Sequence, residues 1–250
     1  MSRIAELVDG SDEPLVSVRQ GSSQFLIINR PAARNALTRQ MRRDFPALVA
    51  AADQDETVTA IILTGVDPAF SAGVDLKDRA ISHEPPVTPN PGEVLRSTRK
   101  PVIAAVNGAC VTGALEMALS CSFIIASTEA RFADTHARLG LVPRWGQTAL
   151  LPDAIGARRA RQMMLTGEFI NAHTAFEWGL INEVVAHGDL LTRCVDLAER
   201  IAGADAGSLR RQLQASCATQ AAALAAGLAA ERQALADDDA GALTRHSSWD

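Results

Sequence analysis

Apolar and polar positions change their period along this chain, and the change divides it into a front and a back. Over Leu15–Arg19 they alternate, Gly21-Ser22-Ser23 offers a turn, and Phe25–Ile28 returns as an apolar run, which predicts a β-hairpin. Met41, Phe45, Leu48 and Val49 then fall at helical spacing behind Thr38, whose hydroxyl suits an N-cap, so a helix is expected to about Asp53. Short apolar runs at Ala60–Thr64, Val102–Val106 and Phe123–Ala126 read as buried strands. After Gly146 the period turns helical, through Gln147–Leu151, Ala157–Leu165, Ala172–Trp178 and Leu190–Ala202. Two alanine-rich stretches follow, Ser208–Ala218 and Ala221–Ala236; in the second, Leu224, Leu228, Arg232 and Leu235 keep helical spacing. The polar end, Asp237–Asp250, is expected to fray. A strand-rich front and a helical back predict an α/β or α+β core with a helical C-terminal part.

One long stretch fits neither period. Arg79–Thr98 is rich in proline, serine and charge, with Pro85, Pro86, Pro89 and Pro91. It is expected to be a mobile loop, placed where it would cover a neighbouring site.

Composition narrows the class of protein. At 250 residues, 47% hydrophobic and 21% charged, the chain has the balance of a soluble globular protein with a substantial core. A net charge of −5 without a basic block argues against a nucleic-acid partner, although local arginines remain free to hold a phosphorylated ligand. No apolar run reaches membrane-spanning length, so no membrane partner is expected. Met1-Ser2-Arg3-Ile4-Ala5-Glu6 carries an early acid and no apolar signal core, so the expectation is a cytoplasmic protein. Cys110, Cys121, Cys194 and Cys217 lack C-x-x-C spacing and read as reduced, mostly buried thiols, Cys110 serving packing. His83, His136, His173, His187 and His246 lack ligand spacing, so no metal site is expected.

The candidate chemistry lies in two glycine-centred segments. One is Ala69-Phe70-Ser71-Ala72-Gly73-Val74-Asp75-Leu76; the other is Val106-Asn107-Gly108-Ala109-Cys110-Val111-Thr112-Gly113-Ala114-Leu115-Glu116. Each follows a strand and leads into a helical pattern. Two such turns, each offering a backbone N–H, can hold negative charge on a carbonyl oxygen. Gly108-x4-Gly113 continues into Ala114-Leu115 rather than Lys-Ser/Thr, which excludes a nucleoside-triphosphate loop. Glu116 sits among Ala114, Leu115, Met117, Ala118 and Leu119, so its helix is expected to be buried all round. A carboxyl there would have a raised pKa suited to proton transfer; the alternative is a plain surface glutamate.

On these residues the chain resembles the enoyl-CoA hydratase/isomerase family, the crotonases. The likeness runs from Asn29-Arg30-Pro31-Ala32-Ala33-Arg34-Asn35-Ala36-Leu37 to Trp178-Gly179-Leu180-Ile181-Asn182. It implies a crotonase-like spiral of ββα units over residues 1–195, then a helical oligomerisation region over 196–250, in a homotrimer or dimer of trimers. It implies an acyl-CoA thioester as the partner, with coenzyme A belonging to the substrate and no separate cofactor. The Val74 and Gly113 N–H groups would form the oxyanion hole, and Glu116 would be the acid or base. Ala33, Arg34, Ala36, Ala72, Gly73, Asp75, Leu76 and Lys77 would line the coenzyme A groove, with Arg34 reaching a phosphate. Trp145 stands where family members usually carry glycines, either narrowing the acyl pocket or serving as a core aromatic.

One departure bears on the reaction. The family's hydratases carry a second glutamate, whereas Phe132-Ala133-Asp134-Thr135-His136-Ala137-Arg138-Leu139-Gly140 puts His136 in that slot. His136 would act as base or water-positioner, or be structural, with Asp134 and Arg138 forming a polar loop beside it. The expected activity is addition of water to a 2-enoyl-CoA, weakened by the missing carboxylate. A Δ3–Δ2-enoyl-CoA isomerase using Glu116 alone, or an acyl-CoA-binding protein with reduced chemistry, are the alternatives.

Overall fold

The computed structural model describes residues 6–8, 10–81 and 85–238. The hairpin forms as its alternation requires: β1 (Leu15–Gln20) runs antiparallel to β2 (Ser23–Ile28), with Leu15 opposite Ile28 and Gln20 opposite Ser23. Beyond it the chain builds strand pairs that feed two sheets. β3 (Ala60–Gly65) is followed by β4 (Ala69–Ser71), β5 (Val102–Val106) by β6 (Ala109–Val111), and β7 (Phe123–Ser127) by β8 (Arg131–Ala133). The first member of each pair enters a six-stranded sheet ordered β1-β2-β3-β5-β7-β10, closed by β10 (Glu183–Val185). The second enters a four-stranded sheet ordered β4-β6-β8-β9, closed by β9 (Ile170–Asn171). All pairings are parallel except β1 with β2 and β8 with β9. This is the ββα winding that the resemblance implies.

The apolar strands are continuous because both faces of the larger sheet are covered. On one face Phe25, Ile27, Ile62, Ile103 and Ile125 meet Leu190, Leu191, Cys194 and Ala198 of α8 (Leu190–Ala202). On the other, Leu26, Ile61, Leu63 and Ala104 join the core built with α1 (Arg39–Gln54) and α4 (Gly113–Leu119). Thr38 caps α1 by accepting the Met41 N–H at 3.2 Å, and Met41, Phe45 and Val49 are buried while Leu48 is half-buried.

Two expectations are corrected. The segment read as a loop contains α3 (Pro91–Arg96), which follows α2 (Leu76–Ile81). Pro91 stands in the first turn of α3, where its fixed φ favours a helix, and Asn90 Oδ1 accepts the Glu93 N–H at 2.9 Å. Pro91, Gly92, Val94 and Leu95 are buried. His83 lies outside the described residues. The two alanine-rich stretches are one 33-residue helix, α9 (Ala206–Asp238), because Thr219 and Gln220 contain no breaker. Residues 239–250, with His246, lie outside the described residues.

α9 docks on α5 (Gln147–Ile155) rather than on the sheet. A methyl on Gly227 would stand 2.5 Å from Ala149 Cβ, so the helices cross closely there. Most of α9 is exposed, including Cys217, whereas Cys110 and Cys194 are buried and Cys121 is half-buried. Among the described residues no helix is long and apolar enough to cross a membrane, and no group of His, Cys, Asp and Glu is placed to hold a metal ion.

Candidate active site

The two glycine segments come together where β4 and β6 end. Gly73 has φ +85°, and a methyl on it would stand 2.8 Å from the Val111 carbonyl and 3.1 Å from Gly113 N. Only glycine allows this turn and this approach. Leu37 N–H donates to Gly73 O at 2.8 Å and Asp75 N–H to Leu37 O at 3.0 Å, so the Val74 N–H faces away from that bridge. Thr112 is held at φ 56°, ψ −113° and its N–H donates to Ala133 O at 3.0 Å, fixing the turn from which Gly113 opens α4. Neither the Val74 nor the Gly113 N–H donates a hydrogen bond to another described residue.

Glu116 lies one turn into α4 and is buried to 2% exposure. Its Oε1 accepts the Trp145 N–H at 2.7 Å, and its Oε2 stands 3.6 Å from His136 Nε2, beyond hydrogen-bond length. Burial pushes the Glu116 carboxyl up to about 7; Glu231 pushes the same way, and His136 with the Trp145 and Gln147 N–H groups opposes them. The expectation of an all-apolar helix carrying one carboxyl is therefore met, since Gly113–Ala118 are all buried.

His136 is also buried, and its other ring nitrogen, Nδ1, is 2.7 Å from Asp134 Oδ1. The same oxygen accepts the His136 backbone N–H at 3.0 Å. Asp134, read from sequence as part of a polar loop, is only 2% exposed, so that reading is corrected. Arg138 is exposed and turns away, donating from Nε to Thr166 O at 2.6 Å. The result is a buried row of Asp134, His136 and Glu116.

Trp145 closes one side of this row. It is 8% exposed, and a methyl on Gly113 would stand 3.0 Å from its Cζ3 and 3.6 Å from Val74 Cγ2. The indole therefore packs against the same backbone that offers the two amides. Arg96, delivered by α3, donates to Trp145 O at 2.8 Å and to Ser120 Oγ at 2.6 Å. Burial draws its guanidinium below the usual range, against the pull of Glu116, Glu93 and Glu231. Glu231 reaches in from α9: its Oε2 accepts Gly146 N–H at 3.0 Å, and its Oε1 accepts Thr148 N–H at 3.0 Å and Thr148 Oγ1 at 2.8 Å. The Gln147 side-chain amide is fully buried and has no hydrogen-bond partner among the described residues.

The remaining groove candidates lie beside the first glycine turn. Ala72 N–H donates to Arg34 O at 2.9 Å, which joins the Ala33–Ala36 segment to the Ala72–Lys77 segment. Arg34 and Lys77 are exposed, Leu76 is 43% exposed, and Ala33, Ala36 and Ala72 are half-buried. Asp75 serves locally: its Oδ1 accepts the Lys77 and Asp78 N–H groups at 3.1 and 3.2 Å, and its Oδ2 pairs with Arg30 at 3.0 Å. Burial pushes its carboxyl up, but these donors outweigh burial and leave it below the usual range.

The sequence shows Asp134 only as part of a polar loop, and it marks neither Arg96 nor Glu231 as part of the site. For Glu231 a signal existed. Leu224, Leu228, Glu231 and Leu235 share one helical stripe, and Glu231 is buried where Arg232, placed on that stripe from sequence, is exposed. Arg96 was hidden inside the misread loop.

Known proteins resemble this chain in sequence and in fold. The profile of the family described as enoyl-CoA hydratase/isomerase matches residues 21–244. A probable enoyl-CoA hydratase 1, peroxisomal, of Arabidopsis thaliana is 36% identical over 204 residues, covering 80% of this chain and 77% of that protein. The 2,3-dehydroadipyl-CoA hydratase of Escherichia coli K12 is 35% identical, with 88% of each chain covered. The crystal structure of an enoyl-CoA hydratase from Mycobacterium avium superposes with a TM-score of 0.81 at 41% identity, covering 91% of this chain and 100% of that one. A spiral of strand pairs carrying two glycine turns, a buried glutamate and these relatives lead to one conclusion: the chain belongs to the enoyl-CoA hydratase/isomerase family.

Proposed function

We propose that this protein adds water across the double bond of a 2-enoyl-CoA thioester. The observation that carries this reading is the buried Glu116 carboxyl, raised to about 7 and facing the His136 imidazole across 3.6 Å. A group with that pKa exchanges a proton readily near neutrality. The hydratase names of the relatives point the same way.

In this mechanism the thioester oxygen sits between the Val74 and Gly113 N–H groups. Water adds to C3, and the charge that develops on the oxygen as the enolate forms is held by those two amides and by the N-terminal end of α4. His136 Nε2 positions the water and takes its proton, while Glu116 delivers a proton to C2. The two roles need not be carried by two carboxylates, because imidazole is itself a base in this pH range. Ala33, Arg34, Ala36, Ala72, Gly73, Asp75, Leu76 and Lys77 border the coenzyme A groove. Arg34 and Lys77 are its exposed cations, while Asp75 shapes it through the cap on α2. Trp145, packed on Gly113, narrows the acyl side. Coenzyme A enters with the substrate, and the reaction uses no further cofactor.

The long exposed α9 supports a division into a ββα core and a helical C-terminal oligomerisation region, in a homotrimer or dimer of trimers. α8 spans residue 195, the boundary of that division. A monomer by sedimentation at micromolar concentration would contradict that assembly. The unpaired thiols support a cytoplasmic location. Assay of short and medium 2-enoyl-CoA and 3-enoyl-CoA substrates tests the reaction. Hydration of the former supports the proposal, whereas conversion of the latter alone would make the enzyme an isomerase using Glu116 as its single base.

A further inference from the structure

The slot in which family hydratases keep a second glutamate holds His136, and an imidazole brings no fixed negative charge of its own. The structure supplies one behind it. Asp134 is buried with its Oδ1 2.7 Å from His136 Nδ1 and 3.0 Å from the His136 backbone N–H. An ionised carboxylate only accepts, so Nδ1 is the nitrogen that carries the proton, and in the neutral ring the lone pair is then on Nε2. Nε2 is the atom that faces Glu116 Oε2, at 3.6 Å. The groups facing the imidazole are thus Asp134 on one side and Glu116 on the other, with Arg96 and Glu231 interacting in turn with the Glu116 charge. The backbone reinforces the arrangement. His136 lies two residues after Asp134, and one carboxylate oxygen clamps both its N–H and its ring, which fixes the ring plane as well as the tautomer.

We propose that Asp134 is a positioning residue that supplies, through the His136 imidazole, the negative charge the missing second glutamate would have brought. The carboxylate stands on a residue two positions earlier and acts on the water through a ring. In the proton-transfer step the water O–H bond breaks as its oxygen bonds to C3. The C2=C3 π pair shifts into the thioester enolate, the proton goes to Nε2, the imidazole becomes a cation, and Asp134 stabilises that cation without itself becoming protonated; once Glu116 has protonated C2, the Nε2 proton passes to the Glu116 carboxylate and restores both groups. The expectation of weak hydration, drawn from the lost carboxylate, gives way to hydration comparable with that of a two-glutamate enzyme. This inference rests on the hydration reading above.

The test is a double-mutant cycle on 2-enoyl-CoA hydration. Asp134→Asn keeps the size and a hydrogen-bond acceptor but removes the charge. It should lower kcat on the order of 10²-fold or more with KM within about threefold. In the His136→Glu background the same change should leave kcat within about threefold, because the charge then resides on residue 136 itself. Equal losses in both backgrounds would make Asp134 merely structural and overturn the inference. Thermal melts of each variant confirm folding. A spectroscopic readout stands apart from activity. Proton and 15N resonances of His136 in the wild type should show Nδ1 protonated and its proton far downfield, moving upfield in Asp134→Asn. A wild type with Nδ1 unprotonated overturns the inference. If the wild type hydrates no 2-enoyl-CoA, the proposed function fails, and the resonance still decides whether Asp134 holds the Nδ1 proton.

Discussion

Glu231 accepts the Gly146 N–H at 3.0 Å, one residue after the Trp145 N–H that Glu116 accepts at 2.7 Å. Two buried carboxylates, one from α9 and one from α4, therefore hold successive amides of a single loop. The C-terminal helix is in this way tied to Glu116 through one peptide unit.

Glu231→Ala should accordingly destabilise the protein and slow it. The change leaves the Gly146 and Thr148 amides and the Thr148 hydroxyl without their acceptor, and unmade buried hydrogen bonds cost about 2–3 kcal/mol. Denaturant unfolding reads the stability and steady-state kinetics the activity. Glu231→Gln, which keeps an acceptor, should lose less of both. A Glu231→Ala protein with wild-type stability would show that the loop does not depend on α9.

Trp145 should set the preferred acyl length. Its indole occupies the space beside Gly113 that glycines would leave open. Replacing it by leucine should raise the ratio of kcat/KM for long over short 2-enoyl-CoA substrates by about tenfold or more. An unchanged ratio would return Trp145 to the role of a core aromatic.

Glu116 should make stability depend on pH. Its carboxyl rises from 4.5 when unfolded to about 7 when folded, so the native state holds the proton more tightly. The stability this brings is fully present below pH 4.5 and is lost as pH rises through 7, a loss of about 3 kcal/mol at most. Glu116→Gln lacks that loss. Its stability advantage over the wild type, by denaturant unfolding, should be small near pH 4.5 and grow until about pH 8. Parallel curves across this range would show that burial does not perturb the carboxyl.

Much of this architecture was legible because local signals and packing agree. The hairpin, α1 with its Thr38 cap, and the buried strands follow from period and capping alone. So did the burial of Glu116, which its neighbours Leu115 and Met117 announce. What escaped depends on long-range contact. Asp134 looks like a loop residue until His136 folds over it. Arg96 was lost because a run of prolines masks the helix that Asn90 caps and Pro91 opens. Glu231 becomes a buried acceptor only because α9 crosses α5 at Gly227, a contact between segments far apart in sequence. The short glycine turns were readable as turns; that Gly73 presses against Gly113 N was not, because only the pairing of β4 with β6 brings them together.

The most direct test of the account compares hydration of a short 2-enoyl-CoA by the wild type and by Glu116→Gln, alongside the affinity of each for the saturated acyl-CoA. The account predicts turnover by the wild type, a fall on the order of 10³-fold or more in kcat for the variant, and acyl-CoA affinity within about threefold. A variant that keeps kcat within about tenfold of the wild type, or a wild type that hydrates no 2-enoyl-CoA, would contradict it.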